Sequence, residues 1–180
     1  MNIRIAASSD APGLLDIYEY YTLNTSVTFE YQLPNQEEFA GRISDTLRNY
    51  PYLVAEEDGR LIGFSYASPF KTRAAYKWSA ETSIYIRMDL HGKGIGTNLY
   101  RKLERYLAGQ NICNLCACIA YPNPKSIAFH QAFGYRQTAH FHNSGYKSGK
   151  WHDIIWMEKT LCEHEIPPKP FIPFSELAEF

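Results

Sequence analysis

Between positions 79 and 106 the chain reads SAETSIYIRMDLHGKGIGTNLYRKLERY, which packs a strand, a glycine-rich turn and a helix into one short stretch. Thr82, Ile84 and Ile86 alternate with Ser83, Tyr85 and Arg87, the period-two pattern of a strand. That pattern breaks at Asp89-Leu90-His91-Gly92. From Ile95 the apolar residues Ile95, Leu99, Leu103 and Leu107 recur every fourth position, as on one face of a helix. Gly92, Gly94 and Gly96 occupy the turn between them. Such a junction makes an anion site, because glycines let backbone N–H groups close on a phosphate while the helix's first-turn donors and dipole favour negative charge. Two common phosphate loops are excluded. A P-loop needs Lys-Ser/Thr where this chain has Thr97-Asn98, and the third glycine of a dinucleotide fingerprint falls on Leu99. A diphosphate held by main-chain amides, such as that of coenzyme A, fits what remains.

The rest of the chain supplies a sheet around that junction. Ile3-Arg4-Ile5 alternates as a short strand. Asp10 is expected to cap a helix with Pro12 in its first turn and Leu14, Leu15, Ile17 and Tyr18 on its apolar face. Residues 24–32, polar and β-branched, read as a loop, and Pro34-Asn35 introduces a second helix through Phe39, Ile43 and Leu47 that stops before Pro51. Asp58-Gly59, set between two apolar runs, is a strong hairpin signal. After the central helix, residues 112–120 read as a strand and Asn123-Pro124 opens a further helix. Residues 134–142 and 151–159 read as two strands joined by 143–150. This order predicts an α/β, mixed sheet flanked by helices, with the glycine turn at the carboxyl end of a strand, where ligands of open sheets bind.

A chain of 180 residues, 45% apolar and 21% charged, is sized for one domain with its own core. Its net charge of −1 gives no electrostatic reason to expect nucleic acid or an anionic membrane as partner. No apolar run approaches the roughly 18 residues of a membrane span. The N-terminus reads directly as a strand rather than a leader, so a cytoplasmic protein is expected. Of the four cysteines, Cys113, Cys116 and Cys118 fall on or beside a predicted strand and Cys162 lies in the tail. A zinc site would want a second C-x-x-C or histidines at ligand spacing. No metal is therefore expected, and the cysteines read as small buried hydrophobes.

His91-Gly92-Lys93-Gly94-Ile95-Gly96 resembles the Gln/Arg-x-x-Gly-x-Gly/Ala motif of the GNAT superfamily of acetyl-CoA-dependent N-acetyltransferases, with His91 where Gln or Arg is usual. Within that superfamily the chain is most similar to phosphinothricin N-acetyltransferases and their amino-acid-acetylating relatives. Asn24 to Phe29 resembles their substrate loop, and Arg73 with Ala75 to Glu81 the segment before their cofactor strand. Asn123-Pro124-Lys125-Ser126, His130 and Gly134-Tyr135 resemble their next helix, and Gly145-Tyr146-Lys147 with Gly149 to Asp153 their last hairpin. The likeness runs in register over residues 1–160. The proline-rich tail, 161–180, departs from it and is expected to pack on the domain or on a dimer partner. The resemblance implies the GNAT fold, a mixed, mostly antiparallel sheet of about seven strands flanked by about four helices.

The resemblance also implies acetyl-CoA as co-substrate. The main chain of Ile84, Tyr85 and Ile86 would pair with the pantetheine amides. Gly92, Lys93, Gly94, Ile95, Gly96 and Thr97 would hold the pyrophosphate, and Asn123 and Ser126 would contact the cofactor. Glu81 matches a catalytic glutamate. An amine arrives protonated and needs a base, and desolvation can raise a carboxylate from its reference value of about 4.3 toward that task. The other readings of Glu81 are that it pairs with the substrate ammonium while water carries the proton, or that it is purely structural. His130 lies two helical turns after Asn123 and would protonate the departing thiolate. Phe29, Arg73 and Tyr76 are the substrate-side candidates, Arg73 being able to grip a carboxylate. His140, His142 and His152 receive no assignment from spacing. The expectation is an N-acetyltransferase of a small amino acid or analogue, acting as a homodimer by direct transfer. Its rivals are acetylation of a protein N-terminus or a polyamine, and a catalytically idle acyl-CoA-binding module.

Overall fold

Asp58 and Gly59 both take positive φ, 51° and 74°, the requirement of a two-residue hairpin turn. They join β2 (Tyr52–Glu57) to β3 (Arg60–Pro69) in the computed structural model, which describes residues 1–177. β1 (Asn2–Ile5) pairs with β2 and β4 (Ser79–Ile86) with β3, all antiparallel. β5 (Asn114–Tyr121) joins β4 in parallel, and the last two strands, β6 (Arg136–Lys147) and β7 (Lys150–Thr160), complete the sheet. Its order is β1-β2-β3-β4-β5-β7-β6, so the final strand inserts beside β5 and leaves β6 at the edge. This mixed, mostly antiparallel sheet of seven strands is the one expected.

Among the described residues four α-helices flank it: α1 (Ala11–Asn24), α2 (Gln36–Asn49), α3 (Ile95–Gly109) and α4 (Pro124–Ala132). α1 and α2 cover one face, where Leu14, Tyr18, Tyr21, Phe39 and Ile43 bury Val54, Phe64 and Tyr85. α3 covers the other, where Leu99, Tyr100, Leu103 and Leu107 bury Ala80, Leu115, Ala117 and Ile155. Side chains of a strand alternate between faces. On β4, therefore, the odd positions 81, 83 and 85 face α1 and α2, and the even positions 80, 82 and 84 face α3. No helix among the described residues is long and apolar enough to cross a membrane.

Three local expectations are corrected. Asp10 does not cap α1 with its side chain; its carboxylate is held by Arg4 at 2.7 and 2.8 Å and by the Ala7 N–H at 2.8 Å. Asn35 and Asn123 do cap, accepting from Glu38 N–H at 2.9 Å and Ser126 N–H at 3.2 Å. The last hairpin runs further than its apolar pattern suggests. β6 and β7 continue to Lys147 and Lys150 around Ser148-Gly149, a second turn with two positive φ angles, because an irregularity between Phe141 and Gly145 absorbs the break in alternation. The cysteines are not uniformly buried either: Cys113 is, whereas Cys118 and Cys162 are exposed. After β7 the tail, as far as residue 177, lies along the domain; residues 178–180 lie outside the described residues. Trp78 Nε1 donates to Lys169 O at 2.7 Å, Gln110 Nε2 to Ile172 O at 2.8 Å, and the Phe171 ring packs on Tyr50.

Candidate active site

β4 and β5 stay paired over only three residues each, Ser79–Glu81 against Asn114–Cys116. Beyond them β4 keeps its pairing with β3 and β5 its pairing with β7, so the two strands part. Thr82 Oγ1 bridges the point of parting by donating to Cys116 O at 3.2 Å. The resulting cleft is lined by residues 82–85 of β4, 117–120 of β5, Tyr100 of α3, and Asn123, Ser126 and His130 at α4, with Val27 reaching over from the loop after α1. The phase of the β3–β4 ladder decides which amides face the gap. Arg87 N–H bonds Ile62 O at 3.0 Å, which makes 87–62 and 85–64 the hydrogen-bonded pairs. Tyr85 therefore turns its main chain to β3, and the main-chain groups of Ile84 and Ile86 face the gap. Ile86 is partly engaged already, its carbonyl accepting from the Tyr21 hydroxyl.

The glycine turn does two separate jobs. Gly92 and Gly94 have φ of 81° and 79°, and a Cβ at either would meet open space, so backbone conformation alone calls for glycine there. Gly96, inside α3, is different. A Cβ on it would stand 3.2 Å from both Ile84 Cδ1 and Phe129 Cε2, so this glycine lets α3 approach the sheet and α4 closely. Asn98 N–H is the first to bond a carbonyl a turn below, Gly94 O at 3.2 Å. The amides of 95–97 consequently project from the helix start. Lys93 is exposed, Thr97 half-buried, and the Ile95 side chain lies in the core, so Ile95 can serve a ligand only through its main chain. His91 Nε2 meets the Tyr21 hydroxyl at 2.9 Å instead of extending outward.

Glu81 stands at the parting point, half-buried on the α1–α2 face and outside the cleft lining. Burial raises its pKa above the ordinary 4.5, opposed by the charge of Lys71. Cys116 shares that face, where burial and then the charges of Glu158 and Glu81 push its thiol up to about 11, so it is a protonated, poor nucleophile near neutrality.

His130 lies on the other side of β4. It is 3% exposed, and its Nδ1–H donates to Ser126 O at 2.8 Å while Nε2 meets the Tyr100 hydroxyl at 2.9 Å. Tyr100 in turn donates to Thr82 Oγ1 at 3.2 Å. Burial lowers the His130 pKa, offset in part by the Ser126 carbonyl. Sequence reading missed Tyr100 and Thr82. The available signal was a hydroxyl-tipped aromatic beside the Leu99, Leu103 and Leu107 stripe, since a buried phenol needs a polar partner.

The substrate-side candidates are more scattered. Arg73 and Tyr76 are exposed and outside the cleft lining, the Tyr76 ring resting 5.9 Å from Phe70. Phe29 packs into the space left by Gly145, where a Cβ would meet its ring at 2.6 Å, and lies 6.0 Å from the His152 ring. It thereby docks the loop of residues 25–35 on the β6–β7 hairpin. Lys147 fastens the same contact: 4% exposed, its ammonium donates to Thr22 O and Thr28 O, each at 2.7 Å. Val27 and Lys147 fall in stretches that resemble a substrate loop and a last hairpin, but neither was singled out, because nothing local marks a lysine or valine that a distant segment will cover.

An acetyltransferase (GNAT) domain matches residues 3–156. Phosphinothricin N-acetyltransferase of Streptomyces viridochromogenes is 31% identical over 177 residues, 98% of this chain and 96% of that protein. The L-methionine sulfoximine/L-methionine sulfone acetyltransferase of Salmonella typhimurium is 29% identical over 93% of this chain and 98% of its own length. Among solved structures, a GNAT superfamily phosphinothricin acetyltransferase from Sinorhizobium meliloti in complex with AcCoA superposes with a TM-score of 0.88 at 33% identity, covering 99% of this chain and 98% of that one.

Proposed function

The chain belongs to the GNAT acetyltransferases and is an N-acetyltransferase that uses acetyl-CoA, and from that premise we propose that it acetylates the primary amine of a small amino acid or amino-acid analogue by direct transfer. One observation carries the reading: Glu81 and the His130–Tyr100 pair lie on opposite faces of β4 where it leaves β5. Base and acid thus flank a gap whose walls offer main-chain groups. The open left-handed turn at Gly92 and Gly94, with the amides of 95–97, fits a pyrophosphate, and Asn123, whose side-chain carbonyl is spent on the cap, keeps its NH₂ for donation.

Acetyl-CoA supplies the thioester carbonyl carbon and leaves as a thiol. Glu81 takes the proton that the substrate ammonium must lose, and the freed amine nitrogen forms its bond to that carbon as the carbon–sulfur bond breaks. Main-chain N–H groups of β4 that face the gap stabilise the developing oxyanion. Because Nδ1–H already donates to Ser126 O, His130 can give a proton only from Nε2, and only as imidazolium. That proton passes to the Tyr100 oxygen as the Tyr100 hydroxyl, turning from Thr82 Oγ1, gives its own to the leaving sulfur. No acyl-cysteine is involved. The substrates after which the relatives are named, phosphinothricin and methionine sulfoximine or sulfone, support an amino-acid-like amine. Arg73, exposed on the approach to β4, is the cation we assign to the substrate carboxylate.

Thiol release from acetyl-CoA against a panel of amines tests this directly. Turnover is expected on phosphinothricin and methionine sulfone. Turnover confined to peptides or polyamines would overturn the substrate class, and none at all would leave an acyl-CoA-binding module. We further propose a homodimer. Edge strand β6 presents exposed Phe141 and Tyr146, with Trp151 beside the latter at 5.3 Å, an apolar surface of the kind a second copy covers. Light scattering after gel filtration is expected to give twice the chain mass; the single-chain mass would refute it.

A further inference from the structure

The irregularity near the end of β6 builds a cluster that the acetyl transfer does not use. Phe141 pairs with Ile154 and Gly145 with His152, so residues 142–144 of β6 stand opposite Asp153 alone. Asn143 takes a positive φ of 50° within this bulge, and its N–H donates to Asp153 Oδ1 at 2.9 Å. The chain is thereby folded so that two imidazoles converge on the other carboxylate oxygen. His140 Nε2 lies 2.8 Å and His142 Nδ1 2.9 Å from Asp153 Oδ2, with ring centroids 4.4 Å apart. All three ligating atoms fall within 4.8 Å of one another.

Two neighbours hold the set in place. The Asn143 N–H holds Oδ1 and so turns Oδ2 to the two imidazoles, and the Tyr121 ring packs 4.8 Å from His140. Supporting contacts of this kind orient ligands before an ion arrives. The donor set, two imidazole nitrogens and one carboxylate oxygen, matches the requirements of Zn²⁺ and its first-row neighbours, which accept three protein ligands and leave a position open. It offers too few oxygens for Ca²⁺ and too much nitrogen for Mg²⁺. His142, 73% exposed, leaves the open side toward solvent.

We propose that His140, His142 and Asp153 form a binding site for one divalent first-row transition-metal ion, separate from the acetyl-transfer cleft. The ion replaces the hydrogens that now bridge the imidazoles to Asp153, each histidine shifting its proton to its other nitrogen. Bound there, it ties the β6 bulge to β7 across the hairpin that carries Lys147. Because it binds only the folded hairpin, it raises the melting temperature by an amount that grows with the logarithm of its concentration over Kd.

Calorimetric titration with Zn²⁺ and visible spectroscopy with Co²⁺ test the site, on full-length protein whose thiols have been alkylated. The alkylation matters because Cys113 and Cys162, with sulfurs 2.7 Å apart, are a competing soft site. One Zn²⁺ per chain is expected, with Co²⁺ bands lacking thiolate charge transfer. His142→Ala, which removes an exposed side chain and leaves the fold intact, is expected to weaken binding by about ten-fold or more. Asp153→Asn should weaken it too, and the exposed His142 keeps the test decisive if that second variant fails to fold. Absence of saturable binding, or binding unchanged in His142→Ala, would overturn the proposal and mark any bound ion as adventitious.

Discussion

Replacing Glu81 with glutamine is expected to lower kcat about 10²–10⁴-fold while leaving the melting curve and acetyl-CoA affinity unchanged. Glutamine keeps the shape and the half-buried placement of the side chain and removes only its basicity. The pH profile sharpens the test. Burial favours the neutral acid and raises the Glu81 pKa, with Lys71 pulling the other way. The working base is the carboxylate, so wild-type activity grows as pH rises through that raised value, and the acid limb lies above that of an ordinary glutamate. Glu81→Gln should lose the limb altogether. If Glu81 merely pairs with the substrate ammonium, the loss would fall on the KM for the amine, with kcat and the limb retained. That outcome would remove Glu81 from the proton transfer.

The sequence made the glycine turn of this candidate site legible and left the proposed proton path hidden. Gly92 and Gly94 are readable because left-handed backbone is written in glycine itself, and Asp58-Gly59 announces its hairpin for the same reason. Gly96 looked like a third member of the anion turn, yet its neighbours Ile84 and Phe129 come from a strand and a helix that pattern cannot bring together. The parting of β4 from β5 depends on β7 inserting beside β5, a long-range choice that no local period encodes. Lys147 shows the limit most clearly. A lysine in a hairpin reads as a solvated charge, but here two carbonyls of distant segments bury its ammonium. Resemblance to a known family singled out His130 as the candidate acid and could not single out Tyr100, whose proposed part rests on the 2.9 Å contact between them.

His130→Phe is expected to lower kcat by about 10²-fold or more, with a smaller change in the KM for the amine, because protonation of the departing sulfur belongs to the transition state. Phenylalanine fills the cage formed by Tyr100, Phe129 and Tyr135, so lost packing is small beside the lost proton. The 2.9 Å bond between Nε2 and the Tyr100 hydroxyl makes a second demand. If the proton travels through both groups, Tyr100→Phe should cost nearly as much as His130→Phe, and the double variant little more than either alone. Full additivity would mean that the two groups act separately and would overturn the relay. The pH dependence follows from the fixed Nδ1. Donation requires the imidazolium, and burial lowers its pKa from the ordinary 6.5 despite the Ser126 carbonyl. Wild-type kcat/KM should therefore fall as pH rises through that lowered value, and this limb should vanish in His130→Phe. A wild-type profile flat across that range would show that His130 works in its neutral form, holding Tyr100 in place without supplying the proton.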